Sequence, residues 1–433
     1  MHDLVKILRI AHVPTLYRRF NKDKVFYGTV VVSSGIFLGG TFAYLLQFLL
    51  GRMLSIADFG TFNALLSLAM IFGVPLSAFG IATIKVVSDL KAQNRFDLLT
   101  GLYWKLMKYA ATLWVLIFVC AFASRGIIGK SLNIDDKVLL AIFAVYIGLS
   151  GLNIAPQSYL QGLLRFKASA VFSTLSNFLR LILPAGLIFL GFGLGGVFGG
   201  IILAGLLGFG VAYLLLRKNL NQPCDKDVNV YVKRIVKFTL PVILVQVSMT
   251  MLNNIDVVMV KRYFDPVEAG HYAGVVTIGK ILLFGAGTLG VVMYPQISEA
   301  YAKKANVLGV FKKFFLIQVF IVTVGVAVFS ILSRFVTTLF FGQRFLPSVE
   351  YVPYFAVFAG LYVLVNFSVL FLLAVEKTKV WAFLLPGILA QIFLLWRFHS
   401  NLMQVIYVNI GVATLLLLGL GLYMFAVKRC WSL

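Results

Sequence analysis

An ionisable side chain inside an apolar run costs about 2.5–3.5 kcal/mol near a bilayer centre on insertion scales, so it should face a cavity or a partner. Three such side chains stand out in this chain: Arg180, Lys280 and Asp256. Arg180 lies about twelve residues, or about 18 Å, from one end of its run, which is the depth of a bilayer midplane. Lys280 lies about ten residues (~15 Å) and Asp256 about six (~9 Å) from the opposite face. Asp256 and Lys280 fall on consecutive antiparallel runs at similar depth. They read either as a structural ion pair or, with Lys280 turned into a central cavity, as part of a site that meets an anion. Arg180 has no acidic residue to pair with in any run, which makes it the leading candidate for anion contact. Arginine offers a planar fork for phosphate or carboxylate oxygens, and lysine offers a point charge.

Several polar groups could support such a site. Lys85, near the end of its run, would help capture an anion at the cavity mouth, or would be an ordinary flanking cation. The amides of Asn253, Asn254, Gln157 and Gln161 suit a hydroxylated ligand, and suit helix-to-helix hydrogen bonds equally. Pro184 lies four residues after Arg180 and lacks the N–H that would bond its carbonyl, so a kink is expected there. Ser173, Ser176 and Asn177 make the same run polar on part of its surface. Pro156 lies beside Asn153, Gln157 and Gln161. Both prolines are hinge candidates, unless neighbouring helices simply satisfy them.

The elements that must position these residues are membrane-spanning helices. Hydrophobic residues make up 61% of the 433, charged residues 12%, and the mean hydropathy is +0.97. A soluble domain carries roughly 25% charged residues. Too little polar surface remains to cover a water-soluble particle, so lipid must be the main solvent. Apolar runs long enough to span fall near 27–50, 61–88, 104–124, 138–162, 169–190, 194–216, 238–260, 271–298, 310–332, 351–374, 379–396 and 403–427. The run 379–396 is the weakest, with Lys379 at one end and Arg397 at the other.

Charge placement orients the bundle. The formal net charge is +23, from 38 Lys and Arg against 15 Asp and Glu. Of those cations, 27 fall on the side that holds the N-terminus, nine on the other, and two inside runs. The positive-inside rule then places both termini in the cytoplasm of a multi-pass inner-membrane protein. It also explains the basicity without a nucleic-acid partner. Residues 1–26 read as a cytoplasmic segment, too polar for a cleavable signal peptide. Leu4, Leu8 and Ala11 at helical spacing allow an interfacial helix there. The division expected is 27–216 as a six-helix lobe, 217–237 as a cytoplasmic linker, 238–427 as a second six-helix lobe, and 428–433 as a tail.

An internal repeat supports the two lobes. Arg52, Asp58, Gly60 and Phe62 match Arg262, Glu268, Gly270 and Tyr272 at an offset of 210. The same offset carries Gly80 onto Gly290 and Asp89 onto Glu299. Six helices per lobe is an even number, so the lobes form parallel repeats about an axis along the membrane normal. Gly60 and Gly270 read as tight helix-starting turns, with the acids near the helix N-termini. Gly35 and Gly39, and the ladder Gly191, Gly195 and Gly199, read as seams for close helix packing.

At this point a family resemblance enters. The stretch from Gly51 to Gly60 resembles the first outer loop of polysaccharide transporters of the MOP superfamily (multidrug, oligosaccharidyl-lipid and polysaccharide exporters). So do Tyr159 to Phe166, the run Asn253, Asn254, Ile255, Asp256 followed by Glu268 to Tyr272, and Pro295. The resemblance covers nearly the whole chain. It implies a V-shaped twelve-helix, two-lobe fold and a flippase. Such a protein carries a lipid-linked (pyrophosphate) oligosaccharide across the membrane by alternating access. The implied partners are the lipid-linked glycan, the bilayer and glycosyltransferases of the same pathway.

Other classes fit less well. A cation-coupled drug exporter of the same superfamily would usually need intramembrane carboxylates, and Asp256 is the only deep acid. A membrane glycosyltransferase or polymerase commonly carries its catalytic groups on a sizeable loop, and no such loop is present. Gly129-Lys130-Ser131 ends like a phosphate-binding loop, but Ser124 stands where the pattern needs glycine. The four histidines stand singly, and Cys120, Cys224 and Cys430 form no ligand pair. No cofactor, metal or catalytic set is therefore expected.

Overall fold

The computed structural model describes residues 24–217, 220, 228–303 and 306–427. The proposed interfacial helix, residues 218–219 and 221–227 of the inter-lobe linker, and the C-terminal tail lie outside the described residues. All regular structure among the described residues is helical. The first half of the chain holds α1 (Lys24–Met53), α2 (Ile56–Ala92), α3 (Phe96–Ala123), α4 (Arg125–Leu132), α5 (Lys137–Leu149), α6 (Ile154–Gly162), α7 (Phe166–Phe189) and α8 (Gly193–Leu216). The second holds α9 (Asn229–Leu252), α10 (Ile255–Tyr263), α11 (Pro266–Ala302), α12 (Val307–Ile331), α13 (Ser333–Phe341), α14 (Val352–Ala374), α15 (Trp381–Arg397) and α16 (Leu402–Val427). A 3₁₀ stretch over Gln343–Tyr351 joins α13 to α14.

Every expected run falls on one helix or on a consecutive pair. Nine helices among the described residues are long and apolar enough to cross a membrane, or ten when a bent pair counts as one. The weak run 379–396 becomes α15, at 17 residues shorter than the rest. α9 begins at Asn229, inside the stretch expected to be linker.

Local chemistry sets the helix starts. Ser55 caps α2, its Oγ accepting from the Asp58 N–H at 3.0 Å while its hydroxyl donates to the Asp58 carboxylate at 2.6 Å. Asp265 caps α11 by accepting from the Val267 N–H at 2.9 Å, with Pro266 at the first helical position. Serine and aspartate therefore make the two turns. Gly60 and Gly270, expected to make them, sit inside the second helical turn. A Cβ on Gly60 would lie 2.7 Å from the Gly270 nitrogen. These glycines serve the approach of α2 to α11.

The packing has three parts. One buried cluster belongs mainly to the first half and includes Tyr103, Tyr159 and Leu216. Another belongs to the second half and includes Met293, Phe371 and Leu420. The third joins both halves at the end where Gly60 meets Gly270, through Phe59, Phe62, Tyr272, Phe341 and Phe345. At that end Arg52 donates to the carbonyls of Leu339 and Phe340, and Arg344 donates to those of Gly51 and Arg52. Phe48 stacks on Phe340 with ring centres 3.9 Å apart. Each arginine thus takes up carbonyls that the facing helix end leaves unpaired.

The glycine seams are partly as expected. Gly35 admits Ala170 and Gly39 admits Asn177, which lets α1 close on α7. The ladder Gly191, Gly195 and Gly199 does not form a packing seam. Nothing lies within 4 Å of a Cβ on Gly191, and the nearest atoms to Cβ atoms on Gly195 and Gly199 stand 3.4 and 3.9 Å away. The residue that lets α8 close on α7 is Gly200, where a Cβ would sit 2.6 Å from the Pro184 Cα. A helix face shifts by one residue with little warning in a sequence this rich in small residues.

Candidate functional site

The site is built around a break. The run 238–260 bends by 45° between Leu252 and Ile255. Breaking a helix frees carbonyls that no water satisfies in lipid. Side chains take them up here: Tyr362 donates to the Met249 carbonyl at 3.1 Å, Asn254 to Thr250 at 2.8 Å, and Gln391 to Leu252 at 3.2 Å. The break places Asp256 in the first turn of α10, where the helix dipole favours a negative charge.

Asp256 is fully buried. Its Oδ2 accepts from the Tyr272 hydroxyl at 2.6 Å and from the Asn409 amide at 3.1 Å. Gln391 in turn donates to the Asn409 Oδ1 at 2.8 Å. The other oxygen of Asp256, Oδ1, has no hydrogen-bond partner among the described residues.

Lys280 stands beside this network without an ion pair to Asp256. Its ammonium donates to the Asn254 Oδ1 at 2.9 Å. Its backbone carbonyl accepts from the Tyr44 hydroxyl at 2.6 Å, a contact between the two halves of the chain. The Asn254 amide nitrogen turns to the Thr250 carbonyl, so Asn254 holds the lysine without reaching Asp256.

The central cavity lies between the halves. It measures about 320 Å³ and is lined by Arg180, Lys280, Tyr44, Asn177, Gln47 and Asn63 among others. Arg180 comes from α7 and Lys280 from α11, so one wall is supplied by each half. Arg180 also lines a neighbouring cavity of about 260 Å³ within the first half, with Gln157, Asn153, Ser173 and Ser176. Its guanidinium has no hydrogen-bond or ion-pair partner among the described residues.

The structure thus brings Arg180 and Lys280 to one cavity and Gln157 to its neighbour, and sets Asn254 and Asp256 behind Lys280. It does not bring Lys85, Asn253 or Gln161 there. Lys85 is exposed on α2, Asn253 ends α9, and Gln161 sits on α6; none lines either cavity. Pro184 is buried against α8, within a helix that runs continuously from Phe166 to Phe189. Pro156 lies in the first turn of α6, just after the chain breaks between α5 and α6. A missing N–H costs nothing in a first turn. Sequence reasoning passed over Tyr44, Gln391 and Asn409, lone polar groups in otherwise apolar helices. That isolation was the available signal. No group of three or more His, Cys, Asp or Glu among the described residues is placed to hold a metal ion.

Comparison with known proteins follows from this geometry. Residues 25–301 match the family model described as polysaccharide biosynthesis protein. The chain belongs to this family. The match covers α1 to α11, so Arg180, Asp256 and Lys280 all fall inside the family region, whereas Gln391 and Asn409 lie beyond it. Solved structures with a similar fold include an inward-facing multidrug resistance MATE family transporter of the MOP superfamily. Its TM-score is 0.75 at 13% identity, covering 90% of this chain and 96% of that one. The lipid II flippase MurJ in an inward closed conformation matches with a TM-score of 0.72 at 15% identity, covering 92% and 87%. An outward-facing MATE transporter of the same superfamily matches at 0.64 and 15% identity, covering 94% and 97%. No curated protein sequence matches the chain significantly. This family member therefore shares its fold with these MATE and MurJ structures, as the resemblance implied.

Proposed function

We propose that this protein carries a lipid-linked oligosaccharide, joined to its lipid through pyrophosphate, from the cytoplasmic to the outer leaflet of the inner membrane. The observation that carries the reading is Arg180, without a partner among the described residues and lining the same cavity as Lys280 on the opposing half. A pyrophosphate is a dense negative charge. It needs a cationic, water-filled path through the bilayer, and low-dielectric walls strengthen its attraction to the two cations. In this reading the head group enters the cavity while the lipid tail stays in the bilayer. The two six-helix lobes then rock about the contact at Gly60 and Gly270. Both termini are cytoplasmic, and glycosyltransferases of the pathway supply the substrate.

The test is flipping of a fluorescent undecaprenyl-pyrophosphate oligosaccharide in proteoliposomes, comparing wild type with Arg180→Ala at matched reconstitution. Wild type should flip the lipid, and the folded variant should lose most of the activity. Equal flipping by both would remove Arg180 from the mechanism.

A second reading has one observation in its favour. Asp256 is a buried carboxylate with one oxygen unpartnered, as a cation-coupled drug exporter would need. Export of a cationic dye by reconstituted protein that fails to flip the lipid-linked glycan would establish that reading instead.

A further inference from the structure

We propose a second binding site, for a sugar ring that carries one anionic group, in the open cavity at the end of the bundle where Gly60 meets Gly270. It rests on the reading that a glycan is the cargo. The cavity is separate from the central one and measures about 770 Å³. The first half supplies most of its wall. The second half supplies Lys261 and Pro266.

Lys261 is the decisive residue. It is only 3% exposed, lines this cavity, and has neither a hydrogen bond nor an ion pair among the described residues. Asp58 and Asp265 are near enough to feel its charge, but neither pairs with it. Its stem is enclosed and its ammonium reaches the cavity without a partner of its own, so an anion entering the cavity finds a cation that no carboxylate of the chain has paired.

The rest of the wall describes the remainder of that ligand. Asp58, Asp135, Thr61 and Asn133 line the cavity and can accept from hydroxyl groups. One oxygen of Asp58 already takes the Ser55 hydroxyl. Asp136 is committed to capping α5, accepting from Val138 and Leu139 at 2.9 Å. Phe192 is 64% exposed and stands in the lining. It is presented by a turn in which Gly191 and Gly193 hold φ of +86° and +52°, a left-handed backbone that favours glycine. Gly195 and Gly199 line the wall beside it. The ladder that does not pack helices thus leaves a side-chain-free floor next to an aromatic ring. Apolar and aromatic surface with a few convergent polar groups is the composition of a small-ligand site. The acids repel a bare polyanion and Lys261 repels a divalent cation. A ring with several hydroxyls and a single carboxylate satisfies both.

Saturation-transfer NMR on the full chain in lipid nanodiscs tests this, with glucuronate and glucose as probes. Sugar-based detergents are avoided because they would compete. Glucuronate should receive saturation from wild type and bind about tenfold more tightly than glucose, the worth of one charge-assisted contact. Lys261→Met should erase that preference and melt no lower than wild type, since it removes an unpaired charge. Phe192→Ala, an exposed change, should weaken both sugars. Arg180→Gln, which alters only the central cavities, should keep glucuronate binding. Absence of binding to wild type, an unchanged preference in Lys261→Met, or loss of binding in Arg180→Gln would each overturn the proposal. Lipid flipping is measured separately. Flipping without glucuronate binding overturns this site alone. Glucuronate binding without flipping keeps the site and overturns the transport reading.

Discussion

Gly60 of α2 and Gly270 of α11 occupy equivalent places in the internal repeat and touch each other, with a Cβ on Gly60 placed only 2.7 Å from the Gly270 nitrogen. The contact therefore joins α2 to α11 by backbone packed on backbone, with no side chain between them.

Alanine at either position should force the halves apart at this end. A methyl on Gly270 would overlap the Ile56 carbonyl oxygen, and backbone cannot step aside as a side chain can. Overpacking of this kind costs about 1–3 kcal/mol. We expect Gly270→Ala to lower the melting temperature and to lengthen spin-label distances between the N-terminal ends of α2 and α11. Gly210→Ala, with nothing within 4 Å of its Cβ, serves as the neutral control.

Arg52 and Arg344 should act as one latch. Each donates to carbonyls at a helix end of the opposing half. Both are exposed, so screening limits each to about 1 kcal/mol despite the charge. Removing either should shift the population toward a state open at this end, read by cysteine accessibility. The double variant should shift it less than the two single effects combined, because each loss already loosens the same contact.

Gln391→Leu should destabilise the protein by about 1–3 kcal/mol, since it leaves the Leu252 carbonyl and Asn409 Oδ1 without their donor. A thermal melt in detergent measures this. Asn253→Ala removes a side chain with no such bond across the break and should be milder. Equal effects would mean that the break is held by something other than these carbonyl contacts.

Tyr44→Phe tests the bond that joins α1 to α11. It deletes only the hydroxyl that donates to the Lys280 carbonyl. We expect a fall in transport rate of about fivefold with the fold intact, from one lost bond of about 1 kcal/mol. Lys280→Met removes the charge itself and should cost more. A Tyr44→Phe variant with full activity would show that this link between halves is not carried through the transport cycle.

Hydropathy and period were enough to locate the helices, because a bilayer admits only helices whose backbone groups pair internally. A gap-free offset of 210 aligned Gly60 with Gly270, which the fold brings into contact. The depth of Arg180 and of Lys280 could be counted along single helices from the rise per residue. All of these are properties of one segment, or of two segments compared by register. What the residues touch is a property of several helices at once, and tertiary structure decided it. The Asp256 and Lys280 pairing considered from depth alone does not form: Lys280 bonds Asn254, and Asp256 bonds Tyr272 and Asn409. The glycine ladder faces a cavity and Gly200 faces Pro184, because a shift of one residue turns a helix face by about 100°. Lys261 is enclosed where α10 packs on α2, so its surroundings come from both halves of the chain. The sequence by itself determined which helix carries each of these groups and where along it the group stands. The crossing of helices determined which of those groups are left without a partner, and it is the unpartnered groups that point to a ligand.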